Sequence, residues 1–275
     1  MKTLKNQTIL FDEDCPLCQT YTSAFITIGM LDKNGRKPYQ EINTHEIPFL
    51  DSKRAANEIA LIDYQNQKVI YGIDSLLKII GHSFPLIKTI GEFKPINFLL
   101  KKFYSFISYN RKVIMPSTEK KEQSCKCEPS FNVKYRLFYL LFAVGITTIV
   151  LFKFSELIPF IPKSGLSREA AIAIGQLLFQ SLFLLNRDYK TILNYLGNVM
   201  TVSLYGCLLL TPILLSSLFI KINPMVALAW FGITVILMLA EHSRRIPILQ
   251  LPKYLSATWV LYRLLILFLI LNQVL

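Results

Sequence analysis

The strongest constraint on this chain is a run of thirty residues, 191–220, that contains no Asp, Glu, Lys, Arg or His. A helix satisfies its own backbone polar groups, and an uncharged helix of that length is suited to hydrocarbon. Similar stretches flank it. Residues 137–152 are bounded by Arg136 and Lys153, 223–240 end before Glu241, and 255–275 are charged only at Arg263. A weaker stretch, 170–185, contains Gln176 and Gln180. A span needs about 20 apolar residues, so 137–152 and 170–185 cross only if flanking Lys and Arg side chains snorkel. The second half therefore reads as an all-α transmembrane helix bundle of five spans, with four as the alternative.

The first half has a different composition. Residues 1–136 carry 20 Lys+Arg and 14 Asp+Glu, whereas 137–275 carry 10 and 4. A chain of 275 residues has room for two modest domains. The net charge is +12, and the first-half excess comes late, at Lys101, Lys102, Arg111, Lys112, Lys120, Lys121, Lys126, Lys134 and Arg136. Such a cluster ahead of the first span reads as a juxtamembrane basic segment that meets anionic lipid and keeps the N-terminal half in the cytoplasm. Nucleic acid is not an expected partner. The apolar run Thr8-Ile9-Leu10-Phe11 is too short for a secretory signal core. The expected location is the cell (inner) membrane, multi-pass, with a cytoplasmic N-terminal domain.

Within that domain, Thr8 to Phe11 reads as a strand. Asp12-Glu13-Asp14-Cys15-Pro16-Leu17-Cys18 follows, and Leu17, Tyr21, Ala24, Phe25 and Ile28 then recur at helical spacing. Gly29 ends the helix. Residues 38–42 read as a weak strand and 51–57 as a short helix. Residues 59–63 and 68–71 read as a β-hairpin, which Gly72 breaks. Asp74 could cap a helix carrying Leu76, Leu77 and Ile80. A further helix over 95–109 places Phe98, Leu99, Lys102, Phe103 and Phe106 down one side. This is thioredoxin-like α/β order. The boundaries that follow are 1–115 for the α/β domain, 116–132 for a basic linker with a C-x-C pair, and 133–275 for the membrane domain.

Two thiols spaced C-x-x-C between a strand and a helix form a dithiol/disulfide geometry. In a reducing cytosol such a pair points to catalysis or metal binding rather than to a structural staple. The helix start leaves backbone N–H groups without partners and partial positive charge, which favours a thiolate at Cys15. Pro16 suits the first helical position. On this reading Cys15 is the exposed attacking thiolate and Cys18, one turn on, resolves the mixed disulfide. Asp12 is the candidate proton acceptor for Cys18, against a plain role in capping or loop hydrogen bonding. Asp14 opposes thiolate formation, and three acids ahead of the pair suggest a reductant-like poise.

The stretch Asp12-x-x-Cys15-x-x-Cys18 after a strand resembles the signature of the DCC family of thiol-disulfide oxidoreductases, a thioredoxin-like group. Gly72-Ile73-Asp74-Ser75-Leu76 is similar to that family's helix start, and Tyr109-Asn110-Arg111 to its Ala-x-Asn-Arg segment. Cys127-Glu128-Pro129 echoes its ending. The resemblance covers roughly residues 7–129 and implies disulfide exchange. Many thioredoxin-like proteins place a cis-proline just before the hairpin strand; Asn57-Glu58-Ile59 stand there instead.

Cys125 and Cys127 could act as a shuttle pair, could join Cys15 and Cys18 in a zinc site, or could have no role. Cys207, among leucines, reads as a small buried hydrophobe. Arg263 lies deep in the last span, where pairing with Glu241 or Asp188 would give a structural tie or line a site for a quinone-like carrier. Gln176, Gln180, Asn194 and Asn198 read as hydrogen bonding between helices. The leading expectation is a membrane-anchored thiol-disulfide oxidoreductase acting on a thiol/disulfide protein or small thiol, with no resident cofactor or metal. The alternative is a transporter or binding module with a metal-binding or regulatory appendage.

Overall fold

The computed structural model describes residues 2–42, 47–117 and 131–274, and the chain divides into two compact units, Met1–Tyr135 and Arg136–Leu275. The linker pair Cys125 and Cys127 lies outside the described residues.

The first unit is built on a small mixed sheet. Strand β1 (Gln7–Phe11) leads into helix α1 (Pro16–Thr27), and the chain returns as β2 (Arg36–Pro38), parallel to β1. Helix α2 (Ser52–Asn57) precedes the hairpin β3 (Ala60–Asp63) and β4 (Lys68–Tyr71), and α3 (Ile73–Ser83) follows. The sheet order is β2-β1-β3-β4, with β3 antiparallel to both neighbours and Ile9 opposite Leu61. Side chains alternate faces along each strand. Ile9, Phe11 and Leu61 therefore pack with Phe25 of α1 and Ile79 of α3 on one side. Leu10, Ala60 and Ile62 pack with Tyr39, Leu50 and Ala55 on the other. Both faces of this sheet are covered, which is why its central strands are apolar at successive positions.

Local signals account for most boundaries. Gly29, at φ +79°, supplies the left-handed turn after α1. Asp51 caps α2 by accepting the N–H of Arg54. The weak strand expected at 38–42 is corrected: pairing ends at Pro38, and Tyr39–Glu41 is a 3-10 turn. That turn buries Tyr39 and aims the Gln40 amide at Asp12. Asp74 does not cap α3. The cap is Gly72 at φ +61°, and Asp74 instead binds Asn97 and Lys101. Helices α4 (Pro85–Glu92) and α5 (Lys94–Ile114) complete the unit.

The second unit is helical: α6 (Val133–Ser155), α7 (Leu166–Leu182), α8 (Tyr189–Ser217), α9 (Pro224–Ile248) and α10 (Tyr254–Leu271). Among the described residues, four helices, α6, α8, α9 and α10, are long and apolar enough to cross a membrane. Helix α7 has 17 residues and carries Arg168 and Glu169 in its first turn. The core gathers Tyr195, Val199 and Met200 of α8, Ile246 of α9 and Trp259 of α10.

Candidate active site

The site begins where β1 ends. Cys15 has extended backbone (φ −98°, ψ 105°), and its Sγ is itself the N-cap of α1, accepting the N–H of Cys18 at 3.3 Å. A sulfur in that position faces the helix's partial positive end. Pro16 occupies the first turn, where a missing N–H costs nothing. Both thiols are free and buried, at 5% and 6% exposure. Here the structure corrects an expectation: Cys15 is covered rather than exposed, because it packs into the same cluster as Phe11, Phe25 and Ile59.

The two sulfurs have opposite acidities. The Cys15 thiol is lowered to about 7, chiefly by its side-chain hydrogen bond with Cys18, with the Arg111 guanidinium helping and burial opposing. The Cys18 thiol is pushed far up by that same hydrogen bond and by burial. One sulfur is thus poised as thiolate near neutral pH while the other holds its proton.

Behind the sulfurs lies a buried ion pair. Arg111, from the far end of α5, places Nη2 2.9 Å from Asp12 Oδ2, and both side chains are almost fully buried. Asp12 Oδ1 accepts the Gln40 amide at 3.0 Å and the N–H of Asp14 at 3.1 Å. Asp12 does not cap α1, a position Cys15 holds; it ties the loop to Gln40 and Arg111 through hydrogen bonds. It also lines a small recess with Cys18, Tyr21, Glu58 and Arg111 that has room for roughly one water molecule. Asp12 and Cys18 are therefore brought to one recess. Where a thioredoxin-like proline would stand, Ile59 donates its N–H to the Tyr104 hydroxyl at 2.9 Å.

Arg111 is the residue that sequence reasoning passed over. Charge patterning alone places it with the juxtamembrane lysines, yet it is 5% exposed and paired within the protein. The available signal was its place in Tyr109-Asn110-Arg111, whose Asn110 is buried too, with its amide on the Phe106 carbonyl.

In the second unit, the expected tie between Arg263 and an acid is overturned. Glu241 is engaged by Arg244 and Arg245, and Asp188 caps α8 through Thr191. The Arg263 guanidinium instead lies 3.8 Å over the Trp259 ring. The interhelical role of the amides holds for Gln180, which accepts from Tyr195 and Thr258, and for Asn198, which accepts from Arg245. Asn198 also turns its NH₂ back on the Asn194 carbonyl of its own helix. The Gln176 Nε2 has no hydrogen-bond partner among the described residues. Cys207 is buried, with its sulfur 3.8 Å from Thr147 Oγ1. Among the described residues no group of three or more His, Cys, Asp or Glu could hold a metal ion.

Comparison with known protein families, with curated proteins and with solved structures finds no match to this chain.

Proposed function

We propose that this protein is a membrane-anchored thiol-disulfide oxidoreductase whose first unit is a thioredoxin-like, DCC-type domain. The observation that carries the reading is the asymmetric dithiol at the start of α1, with Cys15 lowered to about 7 and Cys18 raised. The β1-α1-β2 unit followed by the β3-β4 hairpin and α3 supports it.

In the proposed cycle the Cys15 thiolate attacks one sulfur of a substrate disulfide. A mixed disulfide forms, and the other substrate sulfur leaves as a thiolate that takes up a proton. Cys18 then loses its proton and attacks Cys15 Sγ. The Cys15–Cys18 disulfide forms, and the second substrate sulfur leaves and is protonated. The substrate disulfide gains two electrons and the protein dithiol loses two. Asp12 is the candidate acceptor for the Cys18 proton, across the recess both residues line. A nucleophile near 7 suits a reducing dithiol, whereas strong oxidants hold theirs near about 3.5, so the proposed poise is reductant-like.

The second unit anchors the domain, with the first unit on the cytoplasmic face of the cell (inner) membrane. We assign it five spans, α7 being the short one, with four as the alternative. Two electrons must then return to the Cys15–Cys18 disulfide to close the cycle, from a small thiol or from a quinone-like membrane carrier in its reduced form.

Thiol trapping of the purified protein in dithiothreitol redox buffers tests the reading, with Cys15→Ser and Cys18→Ser beside the parent. A reversible two-electron transition that needs both residues is expected, at a midpoint nearer the reducing than the strongly oxidising proteins. Thiols that stay reduced throughout would end the proposal.

A further inference from the structure

Helix α4 and the first half of α5 form a surface that the first unit leaves uncovered. Leu86 is 72% exposed, Phe93 61%, Phe98 61%, Leu99 65% and Phe103 63%. Phe84, Ile87 and Ile90 are exposed beside them. Soluble surfaces scatter single apolar side chains, but a contiguous band of large ones marks an interaction site. The band is local to the N-terminal half of α5. Further along, the same helix turns Phe106, Asn110, Arg111 and Val113 inward.

The charges on this band are of one kind at its free positions. Lys94 and Lys102 are exposed, the latter with its ammonium 5.4 Å from the centre of the Phe98 ring. Lys88 and Lys101 pair with Glu92 and Asp74 through surface contacts that leave both lysine side chains about half exposed. Phe and Leu interleaved with Lys on a helix surface match the interface of an anionic bilayer, where rings enter the acyl boundary and ammonium groups stay at the phosphates. The chain that carries this band also carries four helices able to cross a membrane, the first beginning at Val133. A bilayer is therefore tethered to it at high effective concentration.

We propose that α4 and the first half of α5 form a monotopic docking surface that lies in the headgroup region of an anionic bilayer. Helix α5 then has two ends with two tasks. Its first half rests on lipid, and its last turns hold Arg111 against Asp12. The orientation of the dithiol relative to the membrane is set by one rigid element.

The test uses the full chain in vesicles of three parts phosphatidylcholine to one part phosphatidylglycerol. Phe98→Trp places a reporter in the band, and the parent, with Trp230 and Trp259, is subtracted. Leu99→Trp is the second reporter; both side chains are exposed, so neither change disturbs the core. The added emission is expected to be blue-shifted, to fall at least twofold when the lipids are brominated near the glycerol end, and to resist aqueous acrylamide. Removing the phosphatidylglycerol should weaken the bromine quenching. Emission quenched by acrylamide and untouched by brominated lipid would overturn the proposal. Emission shielded from both would also overturn it, since protein would then cover the band. Trapping of Cys15 and Cys18 in the same samples is independent of these outcomes, so failure of docking and failure of the redox reading remain distinguishable.

Discussion

Arg111 shows how one side chain changes the chemistry of residues 99 or fewer positions away. Its charge favours the Cys15 thiolate and its hydrogen bond occupies Asp12. The alkylation rate of Cys15 should rise with pH and reach half its maximum near pH 7, because the lowered thiol is thiolate above that value and protonated below it. In Arg111→Met the midpoint should move upward by up to about 1 unit, measured by rapid alkylation across pH. The same variant strands a buried carboxylate, so it should lose about 3–5 kcal/mol of stability in denaturant unfolding. Asp12→Asn in the Arg111→Met background should recover much of that loss, because no buried charge is left alone. A double variant no more stable than Arg111→Met would show that the pair does not act as a unit.

At the scale of elements, close approach matters more than propensity. Helices α7 and α10 meet where Tyr262 donates its hydroxyl to the Ile172 carbonyl at 2.8 Å and Phe179 packs 5.4 Å from the Tyr262 ring. A Cβ added at Gly175 would collide with the Tyr262 hydroxyl. Gly175→Ala should therefore lower thermal stability by about 1–3 kcal/mol through overpacking. Tyr262→Phe, which removes that oxygen, should relieve most of the penalty when combined with it. Gly72 is a backbone case. At φ +61° and ψ −138° its conformation is essentially restricted to glycine, and an added Cβ would sit 2.9 Å from Glu58 Oε2. Gly72→Ala should cost about 1–3 kcal/mol and loosen the turn that ends the hairpin, readable as faster exchange of the amide at position 72, which bonds the Ile59 carbonyl, and of the Ser75 amide.

At the scale of the whole molecule, the number of spans fixes which faces of the membrane the termini reach. If α7 crosses, the termini lie on opposite faces of the membrane; if only the four long helices cross, they lie on the same face. A reporter fused after the C-terminus, active on one side only, reads this directly. Five spans predict the face opposite the first unit. The basic-cluster argument for a cytoplasmic N-terminus also narrows, since Arg111 and Arg136 are buried in the protein. Neutralising Lys120, Lys121, Lys126 and Lys134, which lie close in sequence to the start of α6, should consequently shift topology more than replacing Arg111 does.

The membrane helices, β1, α1, α2 and the hairpin were legible in the sequence because each is specified locally, by apolar runs, period, a capping Asp and turn residues. So was the placement of Cys15 and Cys18 at the start of α1, three residues apart where the helix start supplies partial positive charge. The ending of β2 at Pro38 was not, because the Gln40 side chain finds its partner at Asp12, 28 positions away. Nor was the pairing of Arg111 with Asp12, which only the packing of α5 beside the sheet creates. The outward turn of Phe98, Leu99 and Phe103 belongs to the same class. Periodicity places them on a helix, but which face is covered depends on the elements that pack against it. Local sequence specifies elements and the side chains brought together within one turn; burial, ion pairing and exposed faces arise from contacts between distant segments, which only the tertiary structure decides.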